Sequence, residues 1–144
     1  MIIKGYKGTV SIEDAKKLSS KGVFVFNAMC VGGKEHIIYA YQKARESFRN
    51  GTSLSRSLHI EIMLYLTGKR QIREALSLCS VADAENIAAI SEHDFELSLR
   101  RDDSVLDCSE AKLNFLGISI NPEVVDGKIC DLFLENSAML ELEK

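Results

Sequence analysis

Cys30 and His36 have the residue types of a thiol nucleophile and its base. Such a pair meets in space and needs a third group to orient the base, and spacing identifies none. The four cysteines (Cys30, Cys79, Cys108, Cys130) and three histidines (His36, His59, His93) form neither a C-x-x-C pair nor a zinc spacing. They predict free thiols, mostly buried as small hydrophobes, and no metal site. A glycine loop at residues 31–34 lies between an apolar run and a helical pattern, the shape of a phosphate cradle at a helix N-terminus. The Gly-x-x-x-x-Gly-Lys-Ser/Thr pattern is absent, however, and Lys34 is followed by Glu35. A tight turn is the preferred reading, with a small nucleotide-binding enzyme as the alternative. No catalytic residue and no cofactor is expected.

Basic side chains are the other candidates. Arg56 and the Lys69-Arg70 pair lie beside expected helix ends. Arginine presents a rigid fork of donors to phosphates and stacks on bases. The structural alternative pairs Arg56 with Glu61 and Arg70 with Glu74. The chain carries a net charge of −3 that is unevenly distributed. Residues 34–73 hold eight basic against three acidic residues, a net of +5, and residues 83–144 hold five against fifteen, a net of −10. A polyanion would be drawn to the middle of the chain.

These residues need elements to position them. The 144 residues suit one domain, 1–144, and 46% hydrophobic with 27% charged residues suits a folded core. No apolar run approaches the roughly 20 residues that span a bilayer, and the N-terminus lacks a signal-peptide pattern, so a cytoplasmic protein without membrane contact is expected. A short strand is predicted at residues 1–6. A helix follows at 12–20, with Ser11 as its cap, and then a doubly buried strand at 23–26. Residues 34–48 carry Ile37, Ala40, Tyr41, Ala44 and Phe48 at helical spacing. The next helix, over 55–66, is apolar almost all round, with Thr52 or Ser53 as cap, and a short one follows at 71–79. Residues 86–91 read as strand in preference to helix. Residues 95–99 alternate with period two, as a half-buried strand does. Helices are expected at 109–116 and from Ile129 onward, with a turn or helix start at Asn121-Pro122-Glu123. The fold class is α/β in the α+β sense: a small mixed β-sheet packed with several helices in a single compact domain.

Several of these residues together form a family pattern. Asn27-Ala28, His36, Ala40, Ala44, Phe48 and Gly51 come first. Ser55-Arg56-Ser57-Leu58, Glu61-Ile62, Leu66, Gly68, Arg70-Gln71-Ile72 and Ala75-Leu76 complete it. The chain resembles the small kinase-binding regulatory subunit of the KEOPS complex (the TPRKB family), and its compact length is similar to archaeal members. The match is strong over the middle third and weak in the C-terminal tail. The resemblance implies a non-catalytic subunit. It would bind and stimulate a small atypical kinase, an ATPase that connects it to the threonylcarbamoyl-transferring subunit. It would also recruit tRNA by the single-stranded 3′ CCA end, for threonylcarbamoyladenosine formation beside the anticodon. The basic middle then assigns Lys34, His36, Arg45, Arg56, Lys69 and Arg70 to tRNA. The C-terminal apolar residues Ile129, Leu132, Phe133 and Leu140 are assigned to the kinase. The alternative within this reading is a protein-interaction subunit with no RNA contact.

Overall fold

The computed structural model describes residues 1–119 and 129–144. Ten β-strands and α-helices appear among them, besides two short 3-10 turns. In chain order they are β1 (Ile2–Lys7), α1 (Ile12–Ser20), β2 (Val23–Asn27), α2 (Lys34–Asn50), α3 (Leu58–Thr67), α4 (Ile72–Cys79), β3 (Asn86–Ser91), β4 (Arg100–Arg101), α5 (Glu110–Leu116) and α6 (Ile129–Glu143). The expected turn at Asn121-Pro122-Glu123 lies outside the described residues.

The strands form one sheet in the order β2-β3-β1-β4. Every pairing is antiparallel, with Ile3 and Phe24 both opposite Ile90, so the α+β class holds with an antiparallel rather than a mixed sheet. Strand alternation sends Phe24, Phe26, Ala88 and Ile90 to the core shared with α2, α3, α4, α5 and α6. Val23, Val25, Ile87, Ala89 and Tyr6 face the opposite side, under Ala15 of α1 and Phe95. This two-sided burial explains why β2 and β3 read as continuous apolar runs.

Two local expectations are corrected. Residues 95–99 form no strand. Phe95, Leu97 and Leu99 lie on the second sheet face, and Lys4 of the central strand β1 binds the Phe95 carbonyl and, at 2.9 Å, the Asp94 carboxylate. Their alternation therefore records one apolar side resting on the sheet, without ladder pairing. α3 starts at Leu58, capped by Ser57 Oγ accepting from the Ile60 N–H. The backbone N–H groups of Leu54 and Ser55 instead donate to the buried carboxylate of Glu61, at 3.1 and 2.9 Å. This draws residues 54 and 55 out of the helix.

Candidate functional site

The glycine turn between β2 and α2 is used up internally. Gly32 donates its N–H to His36 Nδ1 at 2.9 Å and Gly33 donates to the Leu106 carbonyl at 2.7 Å. The Val31 and Val105 carbonyls accept from Lys112 Nζ at 2.7 and 2.6 Å. Burial lowers the pKa of Lys112 to about 8. Gly32 is required by a close approach: a Cβ there would lie 2.3 Å from the Phe133 ring of α6. Phe133 of α6 lies against Gly32, and the Gly32 and Gly33 N–H groups are both spent on internal acceptors, so neither is offered to a phosphate.

His36 was expected among the tRNA contacts, and the structure gives it no exposed surface. Because Nδ1 accepts from Gly32, Nε2 carries the proton and meets Ser137 Oγ at 3.1 Å. The ring packs 5.3 Å from that of Phe133. Burial lowers the His36 pKa to about 3, so the ring is neutral at physiological pH. It is a packing residue that ties α2 to α6. Cys30 hydrogen-bonds the Leu78 carbonyl and neighbours Cys79, whose thiol pKa is pushed up by burial. With both His36 nitrogens engaged elsewhere, the Cys30–His36 pair does not form. No group of three metal-ligating side chains occurs among the described residues.

The remaining basic candidates separate into groups. Arg45 is held at 3.0 Å by Tyr41 Oη and at 3.2 Å by Glu92. Lys34 is exposed at the start of α2, Lys69 is half-buried and Arg70 is exposed after α3. Arg56 is exposed at the other end of α3, a ten-residue helix that spans about 15 Å. Among the described residues, neither Arg56 nor Arg70 makes an ion pair. The Arg56–Glu61 alternative fails because Glu61 belongs to Lys144, at 2.9 Å.

α6 relates the turns that carry Lys34 and Lys69-Arg70. Phe133 lies against Gly32, and Asn136, one helical turn further on, lies against Gly68, where a Cβ would fall 2.7 Å from Asn136 Nδ2. Asn136 also donates to the Thr67 carbonyl at 2.9 Å. Gly68 has φ +70°, a conformation that favours glycine, and closes α3 there. Lys34, Lys69 and Arg70 therefore follow two turns held by one segment of α6, whereas Arg45 and Arg56 lie apart.

Of the apolar candidates on α6, Phe133 and Leu140 have no exposed surface and hold the helix to the core. Ile129 and Leu132 are half-buried against the same core. The exposed apolar side chains are Met139 and Leu142, at 50% and 80%. Sequence reading did not reach a groove of about 230 Å³ between α1, α3 and α4, lined by Ile12, Ala15, His59, Ile60, Met63 and Leu76. His59 bonds the Val25 carbonyl at 2.8 Å and rests on Phe24 and Phe26. Three separate helices make this groove, so no single stretch of chain announces it.

A family model described as "Kinase binding protein CGI-121" matches residues 11–116. The chain belongs to this family. The matched span runs from the cap of α1 to the end of α5 and so carries both glycine turns. The chain is also 28% identical, over 153 residues, to the "Regulatory protein Cgi121" of Methanocaldococcus jannaschii. That alignment covers 100% of this chain and 99% of the relative, so it includes α6. Family membership agrees with the resemblance carried by Glu61-Ile62, Gly68 and Arg70-Gln71-Ile72.

Proposed function

We propose that the chain is a non-catalytic, cytoplasmic subunit of a KEOPS-type assembly that binds and stimulates a small atypical kinase and recruits tRNA by its 3′ CCA end. Membership of a kinase-binding family, with a full-length relative named as a regulatory protein, supports the first half. No helix among the described residues is long and apolar enough to cross a membrane. The kinase surface is the outward side of α6, where Leu132, Met139 and Leu142 offer apolar contact while Phe133 and Leu140 anchor the helix from behind. The threonylcarbamoyl-transferring subunit is then an indirect partner through the kinase.

The observation that carries the tRNA half is the pair of glycine turns seated side by side on α6, which present Lys34, Lys69 and Arg70. Single-stranded RNA is held by such basic side chains, by stacking and by contacts to the 2′-hydroxyl. Arg56 is a second, separate contact. His36 and Arg45 contribute through packing and internal bonds.

The test measures binding of the purified chain to a full-length tRNA and to the same tRNA without its CCA end, at one fixed salt concentration. Binding that depends on the CCA end, and that Arg70→Glu weakens most at low salt, is the expected result. Equal binding of both RNAs would refute CCA recognition, and no binding of either would favour the protein-only subunit. For the kinase, Leu142→Arg should abolish association while leaving the fold intact. Leu132→Arg should do the same with some loss of stability. Unchanged association by both folded variants would remove α6 as the docking surface.

A further inference from the structure

We infer that Cys108 and Cys130 form a redox modification site whose disulfide clamps the start of α6 and which a dithiol can open. Sequence reading expected four free thiols, and the structure divides them into two classes. Cys30 and Cys79 are fully buried. Cys108 and Cys130 are joined as a disulfide, with Cα atoms 5.4 Å apart, inside the range that a bridge requires. Cys130 is exposed and Cys108 half-exposed. The pair borders an open cavity of about 450 Å³, lined also by Gly32, Gly33, Asp107 and Leu134, through which a thiolate can approach.

The bridge differs in kind from the other ties on α6. Phe133 on Gly32, Asn136 on Gly68 and Ser137 on His36 hold the middle of the helix, and Lys144 follows its end. Cys130 alone anchors its first turn covalently, to the segment ahead of α5. In disulfide exchange, an incoming thiolate attacks Cys130 Sγ and the Cys108 sulfur leaves as a thiolate. The second thiol of the reductant then attacks the mixed disulfide and frees Cys130. Two electrons and two protons pass from the dithiol, which itself closes to a disulfide, and the protein gains two thiols. Closing a loop across a sequence separation of 22 restricts opening of the linked segments by up to about 10²-fold on the chain-entropy scale.

The experiment is carried out on the full chain, equilibrated in oxidised or reduced glutathione and then with dithiothreitol as the dithiol probe. Peptide mapping without reduction should recover a peptide joining Cys108 to Cys130 after oxidation, and dithiothreitol should remove it. An alkylating reagent applied to the folded, reduced protein should label Cys108 and Cys130 and spare Cys30 and Cys79. Amide hydrogen exchange in α6 should be slower in the oxidised protein, by tenfold or more, and Cys130→Ser should exchange at the reduced rate in either buffer. Absence of the joined peptide in oxidised glutathione would overturn the site. Its presence with unchanged exchange would overturn the clamp. A change in kinase affinity between the two redox states would follow only if the proposed α6 surface is also correct, so the exchange readout separates failure of this inference from failure of that reading.

Discussion

Replacing Glu61 with Gln should cost about 3–4 kcal/mol, because it breaks a buried ion pair. The carboxylate has no exposed surface and accepts from the Leu54 and Ser55 N–H groups, from Ser55 Oγ at 3.0 Å and from Lys144 Nζ at 2.9 Å. Every neighbour is a donor. A glutamine amide would have to aim its own N–H₂ at one of them, losing an acceptor and adding a donor–donor clash. Lys144→Met removes one charged partner, which also reaches Ser47 Oγ at 2.6 Å and Tyr65 Oη at 2.8 Å. It leaves the carboxylate its Leu54 and Ser55 donors, so the expected loss is smaller, about 1.5–3 kcal/mol. Urea unfolding of the two single variants and the double variant gives the coupling energy, expected at about 1 kcal/mol or more in favour of the pair. If Glu61→Gln loses less than about 1 kcal/mol, the carboxylate is not the desolvated centre of this cage and the account of the α2–α3 connection fails.

Acid should destabilise the protein through His36. Its folded pKa of about 3 lies below the unfolded value of 6.5, so the unfolded chain takes the proton first. The stability contribution is complete above the unfolded value and is lost as pH falls toward the folded value, at about 1.4 kcal/mol per pH unit. Subtracting the unfolding curves of His36→Gln from those of the parent should isolate this slope, and parallel curves would contradict it. Gly32→Ala should cost about 1–3 kcal/mol by pushing Phe133 off the turn. Phe133→Leu should recover part of that loss in a thermal melt, and failure of this rescue would dissociate Gly32 from α6. Gly33→Ala is the control: nothing lies within 4 Å of its would-be Cβ, but φ is +101°. Its cost should be backbone strain that Phe133→Leu leaves in place.

Elements fixed by local pattern were legible in the residues, and elements fixed by remote contacts were not. Ser11 caps α1 where its spacing to Asp14 predicts, and of the apolar stripe on α2, Ile37, Ala40, Tyr41 and Ala44 are buried whereas Phe48, in the last turn, is exposed. Residues 95–99 misled because alternation describes one buried side equally well in a strand and in an extended segment lying on a sheet. Ser57 is not evident as the cap from sequence, because what draws residues 54 and 55 out of the helix is the Glu61 carboxylate one turn inside it. The basic middle was visible as charge, yet charge counting cannot separate Arg45, bound to Glu92, from Arg70, exposed without an ion pair among the described residues. His36 and Phe133 read as candidate contacts on opposite halves of the chain. In the folded protein they are contacts of each other.

That contact bears on how the two proposed activities share one small domain. α6 has two sides with different work. Its inner side carries Phe133, Asn136 and Ser137, which meet Gly32, Gly68 and His36, the residues that shape and brace the turns ahead of Lys34 and Lys69. Its outer side carries Met139 and Leu142, which make no core contact of comparable depth. A partner seated on the outer side would press on a helix whose inner side sets the backbone of both turns. Packed interiors yield little, so a shift of α6 by a fraction of an ångström must be taken up at Gly32 and Gly68, where no side chain cushions it. Substitutions at Ser137 or Asn136, which need touch neither partner, are therefore where kinase association and tRNA affinity should change together.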